Sequence, residues 1–152
     1  MARVTDIANE AKQGAILLPL EGGCHCGALR YRVTAAPVRA GYCHCRICQH
    51  TSAAPVQAWA EVPLAGFAYM KGQPRVYLSS AWGQREFCGE CGSQILYRDQ
   101  QGSSSVSINT PTLDDPALIP PTTHGFTKDR IAWFDTADDL PRYPGNAPTS
   151  PD

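Results

Sequence analysis

Seven cysteines in three tight clusters constrain this chain more than any other feature. "GGCHCG" holds Cys24 and Cys26, "YCHCRICQH" holds Cys43, Cys45 and Cys48, and "FCGECG" holds Cys88 and Cys91. Disulfides account for them poorly. Seven is odd, so closed pairing leaves one thiol over. The two residues of a Cys-x-Cys cannot easily bridge each other within normal disulfide geometry, and the expected compartment is reducing. Clustered cysteine pairs in such a chain bind metal instead. Glycines at 22, 23, 27, 89 and 92 suit that role, because they let the backbone turn tightly and aim N–H groups at thiolate sulfur.

A Cys-x-x-Cys-Gly knuckle joined to a distant cysteine pair makes a closed tetrahedral site. Cys24, Cys26, Cys88 and Cys91 are therefore expected to hold a structural zinc, which clips together sequence about sixty residues apart. Cys43, Cys45 and Cys48 remain. Three protein ligands plus one open position is the arrangement catalytic zinc uses, and an all-sulfur set suits holding a thiol as its nucleophilic thiolate. The alternative is a second closed site, with His44, His50 or an aspartate as fourth ligand. His25 and His44 each stand between two cysteines, where an extended chain turns them away from a metal. His50, two past Cys48, fits better as a fourth ligand. Spacing alone leaves the choice open.

The 152 residues suit one domain large enough to bury a core. Net charge is −1 with no run of lysines or arginines, so neither nucleic acid nor an anionic membrane has an electrostatic footprint here. No apolar run approaches the ~20 residues of a membrane span. "AILLPL" is too short and lies too far in for a leader, which makes the cytoplasm the expected address.

Along the chain, "RVTDIANEAKQG" predicts one short helix, capped at Thr5 and ended at Gly14. From Leu20 onward the pattern is that of strands. Ala28–Thr34 alternates apolar and polar residues, and "PVQAWAEVP", "FAYMKG", "PRVYLSS", "REFC", "SQILYRD" and "SSVSINT" continue the series. Thirteen prolines and thirteen glycines break the chain at short intervals, which favours a mainly β domain over a helical bundle. "TLDDPALIPP" predicts a helical turn, and "DRIAWFDTADDLPRYPG" a strand followed by an acidic turn. The division expected is an N-terminal extension over 1–19, a zinc domain over 20–144 and a flexible, proline-rich tail over 145–152.

Three blocks resemble the glutathione-dependent formaldehyde-activating enzyme family, whose domain is shared with centromere protein V. They are "GGCHCGALRYRV", "YCHCRICQHTSAAPVQAWAEVP" and "REFCGECGSQILY", with a weaker match in "HGFTKDRIAWFDTADDLPRYPG". The resemblance implies an Mss4-like fold of short antiparallel strands organised around two zinc ions per chain. It implies Cys24, Cys26, Cys88 and Cys91 as the structural set and Cys43, Cys45 and Cys48 as the catalytic one. It further implies a carbon–sulfur lyase that joins formaldehyde and glutathione reversibly into S-hydroxymethylglutathione, with glutathione or a related small thiol as partner. One departure stands out: Thr51-Ser52-Ala53-Ala54 lacks the glycine many members carry after the small polar pair, at a place expected to shape the pocket wall.

Arg46 and Arg85 lie within three residues of a zinc cysteine and are candidates to grip a carboxylate of glutathione. Trp59, Trp82 and Trp133 are candidates for a ligand pocket, although tryptophans are commonly just buried. Asp135, Asp138 and Asp139 lack the spacing of a calcium loop and are expected to form a solvated turn. Two other functions compete with the lyase: a non-enzymatic, zinc-stabilised scaffold, and a redox-released metal buffer. Oligomeric state is not legible.

Overall fold

The computed structural model describes residues 16–148; the helix expected in "RVTDIANEAKQG" lies outside them. Two sheets of short strands carry the described chain. The smaller contains β1 (Leu20–Gly23), β2 (Arg30–Val33) and β5 (Phe67–Lys71), antiparallel in the order β1-β2-β5. The larger contains β3 (Arg39–Cys43), β4 (Gln57–Pro63), β6 (Arg75–Leu78), β7 (Gly83–Phe87), β8 (Gln94–Asp99), β9 (Ser105–Asn109) and β10 (His124–Gly125). Its order is β10-β3-β4-β9-β8-β7-β6, antiparallel throughout except for the parallel pair β10-β3. The protein is mainly β, as the alternation and the frequent prolines predicted.

Alternation explains how the sheets meet. In β2, Tyr31 and Val33 point inward and are fully buried, while Arg30 and Arg32 pair outward with Asp114 and Glu21. Ala60 and Val62 of β4, Ile95 and Leu96 of β8, and Val106 and Ile108 of β9 form one core with them. Each large apolar side chain so buried contributes about 1.5–3 kcal/mol. A polar tie crosses between the sheets: Tyr69 of β5 donates to Glu86 of β7 at 2.9 Å, and Arg98 pairs with the same carboxylate at 3.0 Å.

Two features depart from the expected pattern. A short helix, α1 (Arg46–Ser52), rises directly from the middle cysteine cluster, where no strand or helix was read. The strand expected in "DRIAWFDTADDLPRYPG" is absent: a helical turn over Thr127–Asp129 ends where the segment begins, and the rest is irregular chain apart from one bridge at Arg142. The segment meets the larger sheet only beside β10, which is two residues long and offers it a single bridge, His124 to Arg142. β10 already occupies the edge of β3, and the chain at Pro141 and Tyr143 hydrogen-bonds the outer side of β10. Trp133 consequently stands 77% exposed. The helical turn expected in "TLDDPALIPP" is present at Pro116–Leu118, with the Asp115 carboxylate accepting from Ala117 N at 3.1 Å. Within the expected tail, Gly145 and Ala147 carbonyls accept from Phe126 N and Arg39 Nη1, and Ala147 is buried. No helix among the described residues is long and apolar enough to cross a membrane.

Candidate metal centres and the cleft beside them

Cys24 and Cys26 sit in the loop from β1 to β2, and Cys88 and Cys91 in the loop from β7 to β8. The fold brings the four sulfurs within 4.8 Å of one another. Cys24 and Cys26 sulfurs are 3.6 Å apart, and those of Cys26 and Cys88 are 3.8 Å apart. Zn–S bonds of about 2.3 Å in a tetrahedron set its edges near 3.8 Å, whereas a disulfide needs about 2.05 Å. The donor set therefore fits zinc. Gly27 and Gly92, at φ +79° and +76°, close the two knuckles in the left-handed region that favours glycine. Leu29 N donates to Cys24 Sγ at 3.2 Å. Cys91 is lowered to about 5, chiefly by the Ser93 hydroxyl. His25 is exposed and takes no part in the cluster.

The second set is built differently. Cys43 ends β3, Cys45 caps α1 by accepting from Cys48 N at 3.3 Å, and Cys48 sits in the first turn. Their sulfurs also lie within 4.8 Å of one another, and among the described residues no His, Asp or Glu joins them. Hydrogen bonds from Cys43 and Cys48 hold the Cys45 thiol down to about 2, while bonds to Cys45 and Cys48 push Cys43 up.

His44 and His50, the candidate fourth ligands, are engaged elsewhere. His50 Nε2 is 3.1 Å from Arg46 Nη2 on the surface of α1. His44 turns to the opposite side, is 2% exposed, and meets His124 Nδ1 at 2.8 Å through its Nε2. His124 Nε2 in turn lies 3.2 Å from both carboxylate oxygens of Asp138, and Tyr42 stacks on its ring. Asp138 is therefore more than a solvated turn residue: its half-buried carboxylate, which also pairs with Arg142, anchors a chain to two buried histidines, Asp138–His124–His44, that ends between two cysteines. Thr136, the Leu140 amide and His124 hold its carboxyl down to about 2. Sequence reasoning missed His124, because nothing local distinguishes a histidine whose partner is 80 residues away.

A cleft of about 490 Å³ opens onto all three sulfurs of this second set. Tyr42, Trp59, Trp82, Tyr97 and Phe126 supply much of its wall. Trp133 and Arg46 are outside its lining; Arg46 is tied to Gln49 and His50. Arg85 does line it, 5% exposed, with Nη2 donating to Cys48 Sγ at 3.4 Å. At the far wall, Arg39 stacks over Trp59 and pairs with Glu61. Burial disfavours the Glu61 carboxylate, but the Ser105 hydroxyl and Arg39 outweigh it and hold the group below its usual range.

The model of the family described as "Glutathione-dependent formaldehyde-activating enzyme" matches residues 19–129, which include every cysteine. The chain belongs to this family. A protein of Halomonas elongata named a putative glutathione-dependent formaldehyde-activating enzyme is 30% identical over 113 residues, 67% of this chain and 70% of that protein. An uncharacterized lyase of Schizosaccharomyces pombe is 25% identical over 89 residues, 59% of this chain and 64% of that protein. A crystal structure of a Rhodobacter sphaeroides protein shares the fold, with a TM-score of 0.53 and 21% identity over 62% of this chain and 87% of that one. The family departure at Thr51-Ser52-Ala53-Ala54 also has its structural meaning: Ala53 is the C-cap of α1 at φ +50° and does not line the cleft. In this member of the family an alanine bears the left-handed strain that glycine would relieve.

Proposed function

We propose that this protein is a zinc-dependent carbon–sulfur lyase acting on the adduct of an aldehyde with glutathione or a related thiol, such as S-hydroxymethylglutathione. In this reading Cys24, Cys26, Cys88 and Cys91 hold a structural ion, and Cys43, Cys45 and Cys48 hold a working one. The observation that supports it best is the three-sulfur set at the wall of a 490 Å³ cleft, with no fourth side-chain ligand among the described residues. Zinc bound there would supply acidification of the incoming thiol. The chain itself supplies the rest. The aromatic side chains give the thiolate a largely apolar wall, and the β3–α1 corner fixes the direction from which it approaches. In the forward direction the thiolate sulfur bonds the aldehyde carbon, the carbonyl π pair moves to oxygen, and that oxygen takes a proton from solvent. Cleavage of the adduct reverses each movement.

The test is a glutathione titration of the cobalt-substituted protein, followed by its thiolate-to-cobalt and ligand-field absorption. A saturable change at one of two sites supports the lyase. No change, with both ions already four-coordinate, favours the zinc-stabilised scaffold. Parallel titrations with cysteine and 2-mercaptoethanol distinguish glutathione from a general thiol.

A further inference from the structure

Arg85 is a buried cation without a carboxylate. Its strand, β7, places it opposite Tyr97 of β8, whose ring lies 5.3 Å under the guanidinium carbon. With the Gln94 amide oriented to donate to Thr51 O, its oxygen accepts from Arg85 Nη1 at 3.1 Å. Nη2 donates to Cys48 Sγ, and Nε is buried without any partner. The acids of the same cleft are committed elsewhere: Glu61 to Arg39 and Ser105, Asp99 to Gln101 N. Among the described residues no carboxylate lies within 4.0 Å of Arg85.

Burying a guanidinium is unfavourable unless an anion faces it. Here the facing anion is sulfur. Three thiolates around a divalent cation leave one net negative charge, and an incoming thiolate raises it to two. In a partly buried cleft that second charge is disfavoured unless a fixed cation stands beside it. We infer that Arg85 is a positioning residue for the Cys43–Cys45–Cys48 set, holding Cys48 and supplying the counter-charge that makes this set accept an anionic thiolate in preference to a neutral ligand. The inference rests on the lyase reading above. It differs from the carboxylate grip expected of Arg85, since both its outer nitrogens are already engaged and its Nε is closed off from the cleft.

The experiment compares glutathione and imidazole as ligands of the cobalt-substituted full-length protein, in the wild type, Arg85→Gln and Arg85→Lys. Arg85→Gln is expected to weaken glutathione binding about 30-fold, from loss of a unit charge at close range, and to leave imidazole within about threefold. Arg85→Lys keeps the charge and is expected to recover most of the thiolate preference. Equal weakening of both ligands overturns the inference, because a mere prop for the cleft wall affects them alike. Failure of the wild type itself to bind glutathione overturns the lyase reading and this inference together; a changed ratio confined to Arg85→Gln leaves both standing. Should Arg85→Gln not fold, Arg85→Met carries the same comparison, since it removes the unpaired buried donors along with the charge.

Discussion

Cys45 bears the most at the scale of single residues. It caps α1 and faces the cleft. Cys45→Ser is expected to leave far-UV circular dichroism unchanged while abolishing the spectral response of the cobalt protein to glutathione. His124 acts at one remove. Outer partners that orient a metal loop typically account for 10–100-fold in affinity, and His124 holds the residue between two ligands. His124→Ala should therefore loosen metal at the Cys43–Cys45–Cys48 set by about tenfold or more, while the four-sulfur set keeps its affinity. Competition with a chromophoric chelator, which resolves the two sites, checks it. His124 and Asp138 were not legible, since their roles are created by contacts 80 and 14 residues distant. The three cysteine clusters were legible, because each is written in near-neighbour spacing; that the first and last come together is a contact across 62 residues.

At the scale of elements, strands were readable and α1 was not. Residues such as Tyr31 and Val33 alternate with Arg30 and Arg32, and period-two burial needs no tertiary knowledge. A seven-residue helix has almost no periodicity to detect. What holds α1 is context: a cysteine cap at its start, and the buried Gln49 amide donating to His44 O at 2.7 Å and Asp129 O at 3.1 Å. Its weak point is Ala53, in left-handed conformation at the C-cap. Ala53→Gly should raise stability by about 0.5–1 kcal/mol, read as a higher denaturant midpoint at unchanged m-value. A fall in stability would mean that chain entropy outweighs the relief of strain.

Across the whole molecule, the four-sulfur set joins the two sheets, drawing one pair from the β1–β2 loop and the other from the β7–β8 loop. Structural zinc in such sites contributes about 10–16 kcal/mol, as much as the entire stability of a domain, about 5–15 kcal/mol. Cys88→Ser is accordingly expected to lose cooperative thermal unfolding; a well-folded, fully zinc-loaded variant would contradict the division into four and three. Chelation of the wild type should proceed in two phases. The three-sulfur set, which no fourth side-chain ligand joins among the described residues, is expected to release first and leave the strands intact; the second release is expected to coincide with collapse of the circular dichroism signal.

The sequence by itself determined the strand-rich class, the family blocks and the three cysteine clusters, because alternation and cysteine spacing are local properties of the chain; the fold brought the first and last clusters together. Only the tertiary structure decided what surrounds the second set. Whether Arg85 reaches Cys48, 37 residues away, or whether His44 turns toward His124, depends on how β7 and β10 are placed beside their neighbours. Those placements are fixed by packing of distant segments, where a shift of one residue would send each side chain to the opposite face of its sheet.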